Sequence, residues 1–326
     1  MTTGHGFGAF ARHAARRLAQ AVFVLWAAFT VSFLIMYALP SDPVQLLVGT
    51  DNAVTPEQVD ALRHEYGLDR PLVIQYLDQL GHVVRGDLGR SLQSGREVTT
   101  IIAEAVPATA QVAGAALVLA VLGGGALALT ATGTRRGWLA NALLGLPPLG
   151  VAIPSFWLGL LLLQQFSFNW TWFPALGNEG WRSVVLPAVT LAIPTGAFLA
   201  QVLAKSLRAT RREPYIDTAR AKGAGAVRVQ LHHALRNAAL PALTMAGLIV
   251  GQLLSGAVVA ETVFSRNGIG RVTSTAVAAQ DIPVVQGLVL FGATVFVVVN
   301  LAVDLLYPVV DPRTRRATPI PKVVAA

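Results

Sequence analysis

Cysteine is missing from this chain, and charge is scarce. Without cysteine there is no disulfide framework, no thiolate metal site and no cysteine nucleophile. Only 13% of the 326 residues are charged, about half the share of a soluble domain. Hydrophobic residues make up 54%, and mean hydropathy is +0.57. That apolar surplus exceeds what one soluble core can hide, so lipid is the expected solvent. Catalytic signatures are missing too. No G-x4-G-K-[ST] phosphate loop occurs, so the chain is not expected to bind ATP itself. His64, His82, His232 and His233 lack metal-ligand spacing with acids, and no Ser/His/Asp set is credible within such apolar runs. No catalytic residue and no metal ligand is assigned.

What is present is a series of charge-free runs of membrane-spanning length, which is about 20 residues. They cover residues 18–39, 105–134, 137–178, 183–204, 237–260 and 282–303. The third run is long enough for two helices, so charge must decide the count. With one helix there, near 138–165, the basic segments 12–17, 135–136, 205–236 and 313–322 all fall on one side. The excess of Lys and Arg on cytoplasmic loops favours that arrangement. The expectation is an all-α membrane protein with six transmembrane helices and both termini cytoplasmic. The spans are 18–39, then about 105–133, 138–165, 183–205, 238–261 and 282–307. Residues 1–17 and 311–326 form the cytoplasmic ends. Net charge is +8, but the basic residues sit beside apolar spans, so topology explains them and no nucleic-acid partner is expected. The apolar run 18–39, which follows Arg16 and Arg17, is too long and ends too poorly for a cleaved signal, so a retained anchor is expected.

Residues 40–100 form the largest outside segment, a helical extracytoplasmic cap. From 40 to 97 it holds nine acids against five arginines, the reverse of the cytoplasmic pattern. Thr55-Pro56-Glu57-Gln58 reads as a capping box, with Gly67 ending that helix. Pro71 opens a second helix, with Leu72, Val73, Tyr76, Leu77, Leu80 and Val84 at helical spacing and Gly86 closing it. The cap is a docking surface for an extracytoplasmic partner, a wall that channels substrate, or a lid that stabilises the bundle.

Residues 101–310 form a five-helix core. Glu104 lies at the mouth of the second span, as an interfacial residue or one facing a polar path. Gly123-Gly124-Gly125 allow close helix approach or a bend. Pro147, Pro148, Pro154, Pro187 and Pro194 predict kinks, and Pro241 stands at the start of the fifth span. Trp170 and Trp172 suit an interfacial belt. Asp304 has no evident intramembrane partner in the sequence and reads as a structural hydrogen-bonding group.

The long polar interval of the second half lies at 206–237. Glu213-Pro214 starts a helix there, with Asp217 near its N-terminus and Arg220 and Lys222 near its C-terminus, as the helix dipole favours. Gly223 and Gly225 break it, and an apolar pattern from Val227 leads into the next span. A short helix laid across a membrane loop makes a rigid lever.

At this loop the sequence resembles the permease subunits of binding-protein-dependent ABC importers, in the dipeptide/oligopeptide (and nickel) branch. The family motif is Glu-Ala-Ala, three residues, then Gly; Asp217-Thr218-Ala219-Arg220-Ala221-Lys222-Gly223 occupies it. TARAKG followed by HALRN and Pro241 is similar to the peptide branch, although Ile-x-Leu-Pro is absent at its usual distance. Further matching stretches run in order along nearly the whole chain: LPSDPV at 39–44, YGLDRPLVIQY at 66–76, GDLGRS at 86–91, PSFWLG at 154–159, LPAVTLA at 186–192, ETVFSRNGIGR at 261–271 and AVDLLYPVVDPR at 302–313.

The resemblance implies a type I importer permease fold in the bacterial cytoplasmic membrane. It implies a second related permease, two cytoplasmic ABC ATPase subunits or domains, and an extracytoplasmic substrate-binding protein. ATP and Mg would be bound by the ATPases, with no cofactor on this chain. Glu213, Tyr215, Asp217, Thr218, Ala219, Arg220, Ala221, Lys222, Gly223 and Gly225 would form the ATPase-coupling loop. Glu104, Glu261 and Phe264 are candidate pathway or partner contacts. Nickel or another small solute is an alternative cargo, and an ion-coupled secondary transporter is the alternative class.

Overall fold

A computed structural model describes the backbone of residues 4–38, 64 and 69–310, and the side chains of residues 15–36, 64 and 69–304. The capping box at Thr55, the turn at Gly67 and the basic tail lie outside the described residues. Regular structure within them is helical, apart from one isolated bridge between Arg90 and Glu97.

In chain order the helices are α1 (Gly4–Ala38), α2 (Leu72–Val84), α3 (Val98–Gly133), α4 (Gly137–Ala152) and α5 (Ser155–Leu162), the last prolonged by a π-helical stretch, Leu163–Asn169. Then come α6 (Arg182–Thr210), α7 (Pro214–Ala221), the short turn α8 (Ala226–Arg228), a second π-helical stretch, Val229–Ala234, and α9 (Leu235–Thr244). α10 (Ala246–Val263), α11 (Ile269–Ala278) and α12 (Ile282–Val310) complete the described chain.

Five helices, α1, α3, α6, α10 and α12, contain stretches long and apolar enough to cross a membrane. The sixth crossing is the pair α4 and α5 with its π-helical extension, bent by 98°. Packing shows that this pair traverses the bundle. Leu144 packs beside Ala204 and Leu207 near the end of α6, whereas Leu163 packs against Leu186 near its start.

The expected single helix near 138–165 is therefore corrected to two. Pro147 and Pro148 stay inside α4. The break falls at Ile153 and Pro154, both extended, with ψ of 122° and 127°. A residue before proline is pushed out of the helical region, and proline supplies no N–H to continue the ladder. The fifth span also differs. Pro241 lies within α9, and the chain turns at Met245 before α10 begins.

α3 and α6 form the centre. Val112, Ala116 and Ala120 meet Ala188, Leu191, Ala192 and Leu199, joined by Ile249, Leu253 and Ala260 of α10. Small residues let the backbones approach closely. A Cβ on Gly124 would sit 2.3 Å from the Gly196 carbonyl oxygen, whereas Gly123 and Gly125 face open space. One glycine of the three thus makes the contact, and α3 runs unbroken through all of them.

α1 packs at the edge. Phe29 and Phe33 meet Leu290 of α12 and Tyr76, Leu80 and Val83 of α2. Arg17 pairs with Asp304 at 3.0 Å, which supplies the partner that Asp304 lacked in the sequence reading. α2 ends as expected at Gly86, whose φ is +83°. The Gly86 amide donates to the Val83 carbonyl and the Asp87 amide to the His82 carbonyl, which satisfies two terminal acceptors of the helix.

Candidate functional site

The end of the bundle where α3 and α6 terminate carries α7. Glu213 precedes it in extended conformation, and Pro214 takes a first-turn position where a missing N–H costs nothing. Asp217 lies in the first turn and Arg220 in the last, paired at 3.0 Å on the outward face. The stop is a paired-carbonyl turn: the Gly223 amide donates to the Arg220 carbonyl and the Ala224 amide to the Ala219 carbonyl. Gly223 sits at φ +83°, the left-handed region that glycine enters without strain.

One side chain anchors this polar helix. Ile216 is fully buried among Leu203, Leu207, Val229, Ala234 and Ala238. Burial of such a side chain contributes about 1.5–3 kcal/mol. Tyr215 adds a second tie, accepting from Asn237 Nδ2 at 2.6 Å and donating to the His233 carbonyl at 3.4 Å. Glu213, Tyr215, Asp217, Thr218, Arg220, Ala221, Lys222, Gly223 and Gly225 remain exposed, and Ala219 is half-buried. The structure thus gathers the ten sequence-predicted loop residues on one presented helix and turn. Sequence reasoning missed Ile216, although an isoleucine three residues before Ala219 in a polar helix marks an inward face.

The other three candidates lie at the opposite end of the bundle. Glu104 is exposed and accepts from Arg96 at 2.6 Å. Glu261 is fully buried. Its carboxylate accepts from the Thr109 hydroxyl at 2.6 Å and from the amides of Gly270 and Arg271 at 2.7 and 3.2 Å. Those amides open α11, so Glu261 caps a helix from outside its own segment. The Thr109 oxygen in turn accepts from the Ile269 amide at 2.8 Å. A Cβ on Gly268 would lie 2.3 Å from the Glu261 carboxylate, so the turn closes only around glycine there.

Phe264 is buried with Leu163 and Leu186. Its carbonyl accepts from the Gly177 amide at 3.1 Å. Arg266, also fully buried, donates through Nη1 to the Gly177 and Ser183 carbonyls and to the Ser183 hydroxyl. Glu261 and Phe264 are therefore internal ties that set the turn before α11, and neither reaches the surface. On that turn's flank a recess of about 330 Å³ opens, lined by Ser94, Asn267, Arg271 and Thr275 among others. Asp281 closes the same end, accepting from the Ser91 hydroxyl at 2.5 Å and the Leu92 amide at 3.1 Å.

Among the described residues this geometry gathers no group of His, Asp and Glu side chains that could hold a metal ion. It places an exposed, anchored helix at one end of the bundle and a tightly tied turn at the other. Residues 124–316 match the family described as binding-protein-dependent transport system inner membrane component, and residues 10–113 match its N-terminal membrane component. A putative peptide transport system permease protein of Brucella abortus (strain 2308) is 38% identical over 308 residues, covering 92% of this chain and 98% of that protein. One from Brucella suis biovar 1 is 38% identical over 306 residues, covering 91% and 97%. The glutathione transport system permease protein of Salmonella typhimurium is 38% identical over 284 residues, covering 87% and 92%. A multi-span helical bundle and a family match over more than half of its length lead to one conclusion: this chain belongs to the inner-membrane components of binding-protein-dependent transport systems.

Proposed function

We propose that this chain is the permease subunit that forms the translocation pathway of an ATP-driven importer for di- and oligopeptides, moved through α7 by a separate ATPase. The observation that carries this reading is the build of α7. Its outward face is polar and exposed, and its inward face is keyed to α6 and α9 by the buried Ile216. Force on such a helix passes into the bundle instead of dissipating in a loose loop. The peptide assignment is supported by the names of the relatives, one of which carries glutathione, itself a tripeptide.

In this reading the end bearing α7 is cytoplasmic, together with both termini, because the basic segments 135–136 and 205–236 lie at that end. Two ABC ATPases bind ATP and Mg and dock on the face running from Glu213 to Gly225. A second related permease completes the pathway. An extracytoplasmic binding protein delivers cargo at the end that carries α11, where Glu104 is exposed and where Glu261 and Phe264 hold the receiving turn in shape. This chain itself binds no cofactor.

The test is uptake of labelled dialanine and glutathione by proteoliposomes holding the complete complex. Accumulation is expected to require ATP and the binding protein. Asp217→Lys reverses the outward charge, and Gly223→Pro forbids the positive φ. Each is expected to lower substrate-stimulated ATP hydrolysis about tenfold or more, a usual size for a coupling energy. Uptake driven by an ion gradient without the ATPases would overturn the proposal, as would unchanged coupling in both variants.

A further inference from the structure

α3 is the longest helix described, at 36 residues, or about 54 Å at 1.5 Å per residue. That exceeds a hydrocarbon core of about 30 Å, so its end projects toward the α7 region. The last carbonyls of any helix lack an intrahelical donor. Here Arg211 meets one of them and Gln230 grips the same last turn, one side chain from each flank of α7. Arg211, which ends α6, donates to the Thr132 carbonyl. Gln230 Nε2 donates to the Thr132 hydroxyl at 2.8 Å and to the Leu129 carbonyl at 3.3 Å. The Thr132 hydroxyl spends its own proton on the Ala128 carbonyl at 2.8 Å, so it meets Gln230 only as an acceptor. Gln230 and Thr132 are both buried. Gln230 sits in the π-helical stretch Val229–Ala234, whose Val229 packs with Ile216 and Ala128 in one cluster. π-helical insertions are frequent at functional sites.

We propose that Gln230 and Arg211 form a clamp that carries the displacement of α7 into α3, which makes Gln230 a positioning residue for transport and not an ATPase contact. This rests on reading α7 as the driven helix, and goes beyond it by naming the element that is moved. Apolar packing at Ile216 resists separation, whereas directed bonds to the last turn of α3 also resist sliding along the helix axis. α3 then runs to the far end of the bundle, where its Thr109 holds Glu261 and the start of α11. The clamp thus links α7 to the α11 turn through one continuous helix.

The experiment uses the full complex in proteoliposomes with two separate readouts: ATPase recovered with the permease, and labelled dialanine taken up per ATP hydrolysed. Gln230→Ala, Thr132→Val and the double variant are compared. Thr132→Val keeps the side-chain shape, so its folding is protected. Full ATPase recovery is expected in all three, with uptake per ATP reduced about fivefold or more. The double variant should be no worse than Gln230→Ala, since the Gln230–Thr132 bond lost in Thr132→Val is already lost in Gln230→Ala. Wild-type uptake per ATP in both single variants would overturn the clamp, as would losses that add. Loss of ATPase recovery would also overturn it, by making Gln230 part of the docking surface. Intact coupling in the Asp217→Lys and Gly223→Pro variants would instead overturn the driven-helix reading, and the clamp with it.

Discussion

Glu261 is a buried acid whose acceptor capacity is used by one hydroxyl and two amides. Removing it leaves those donors buried without a partner, at about 1–3 kcal/mol for each unsatisfied group. Glu261→Ala is therefore expected to lower the thermal midpoint of the detergent-purified protein well below that of Glu261→Gln, which keeps one carbonyl acceptor. Equal midpoints for wild type and Glu261→Ala would disprove the capping role. The sequence drew attention to Glu261 but not to what it does. Its hydroxyl partner, Thr109, lies 152 positions away, and no local pattern links the two. Asp304 and Arg17 repeat the case on a different pair of helices: both charges are plain in the sequence, yet only the packing of α1 on α12 brings them together.

At the scale of elements, local chemistry was legible wherever a helix ended on its own residues. Pro71 and Gly86 bracket α2, and Pro214 and Gly223 bracket α7, because proline and glycine restrict the backbone regardless of neighbours. The interior prolines were less informative. Pro107, Pro187 and Pro194 lie inside long helices, and only Pro154 marks a break between two helices. The run of three glycines shows the same limit, since their sequence positions do not say which one faces α6. Gly124→Ala drives a Cβ into the Gly196 backbone, which no side-chain movement relieves. It is expected to destabilise the folded bundle, whereas Gly123→Ala should be neutral or slightly stabilising, because alanine is favoured over glycine in a helix by about 1 kcal/mol. Thermal unfolding of the two variants side by side decides this, and matching loss in both would refute the close-approach assignment.

For the whole molecule, the count of crossings followed from hydropathy and the placement of arginine and lysine. The 98° bend did not, because a bent and a straight crossing share one composition. The chain is a multi-pass protein of the bacterial cytoplasmic membrane. Its lack of cysteine gives a direct test of sidedness. A single cysteine at the exposed Ala221 should react with an impermeant maleimide only from the cytoplasmic side, and one at the exposed Ser94 only from outside. Labelling of both from the same side would break the proposed topology.

The ties at the α11 end also set an order of manufacture. Ser91 is bonded to a residue 190 positions later, and Thr109 to one 152 positions later. Contacts between segments so far apart in sequence form late, because the intervening chain must first be synthesised and closed into a loop. A ribosome that stops before Asp281 leaves the Ser91 hydroxyl and the Leu92 amide without their acceptor, however well α1 to α10 have inserted. The same bonds that give the α11 end its shape therefore close only after residue 281 has been made, and the pairing of Arg17 with Asp304 waits longer still.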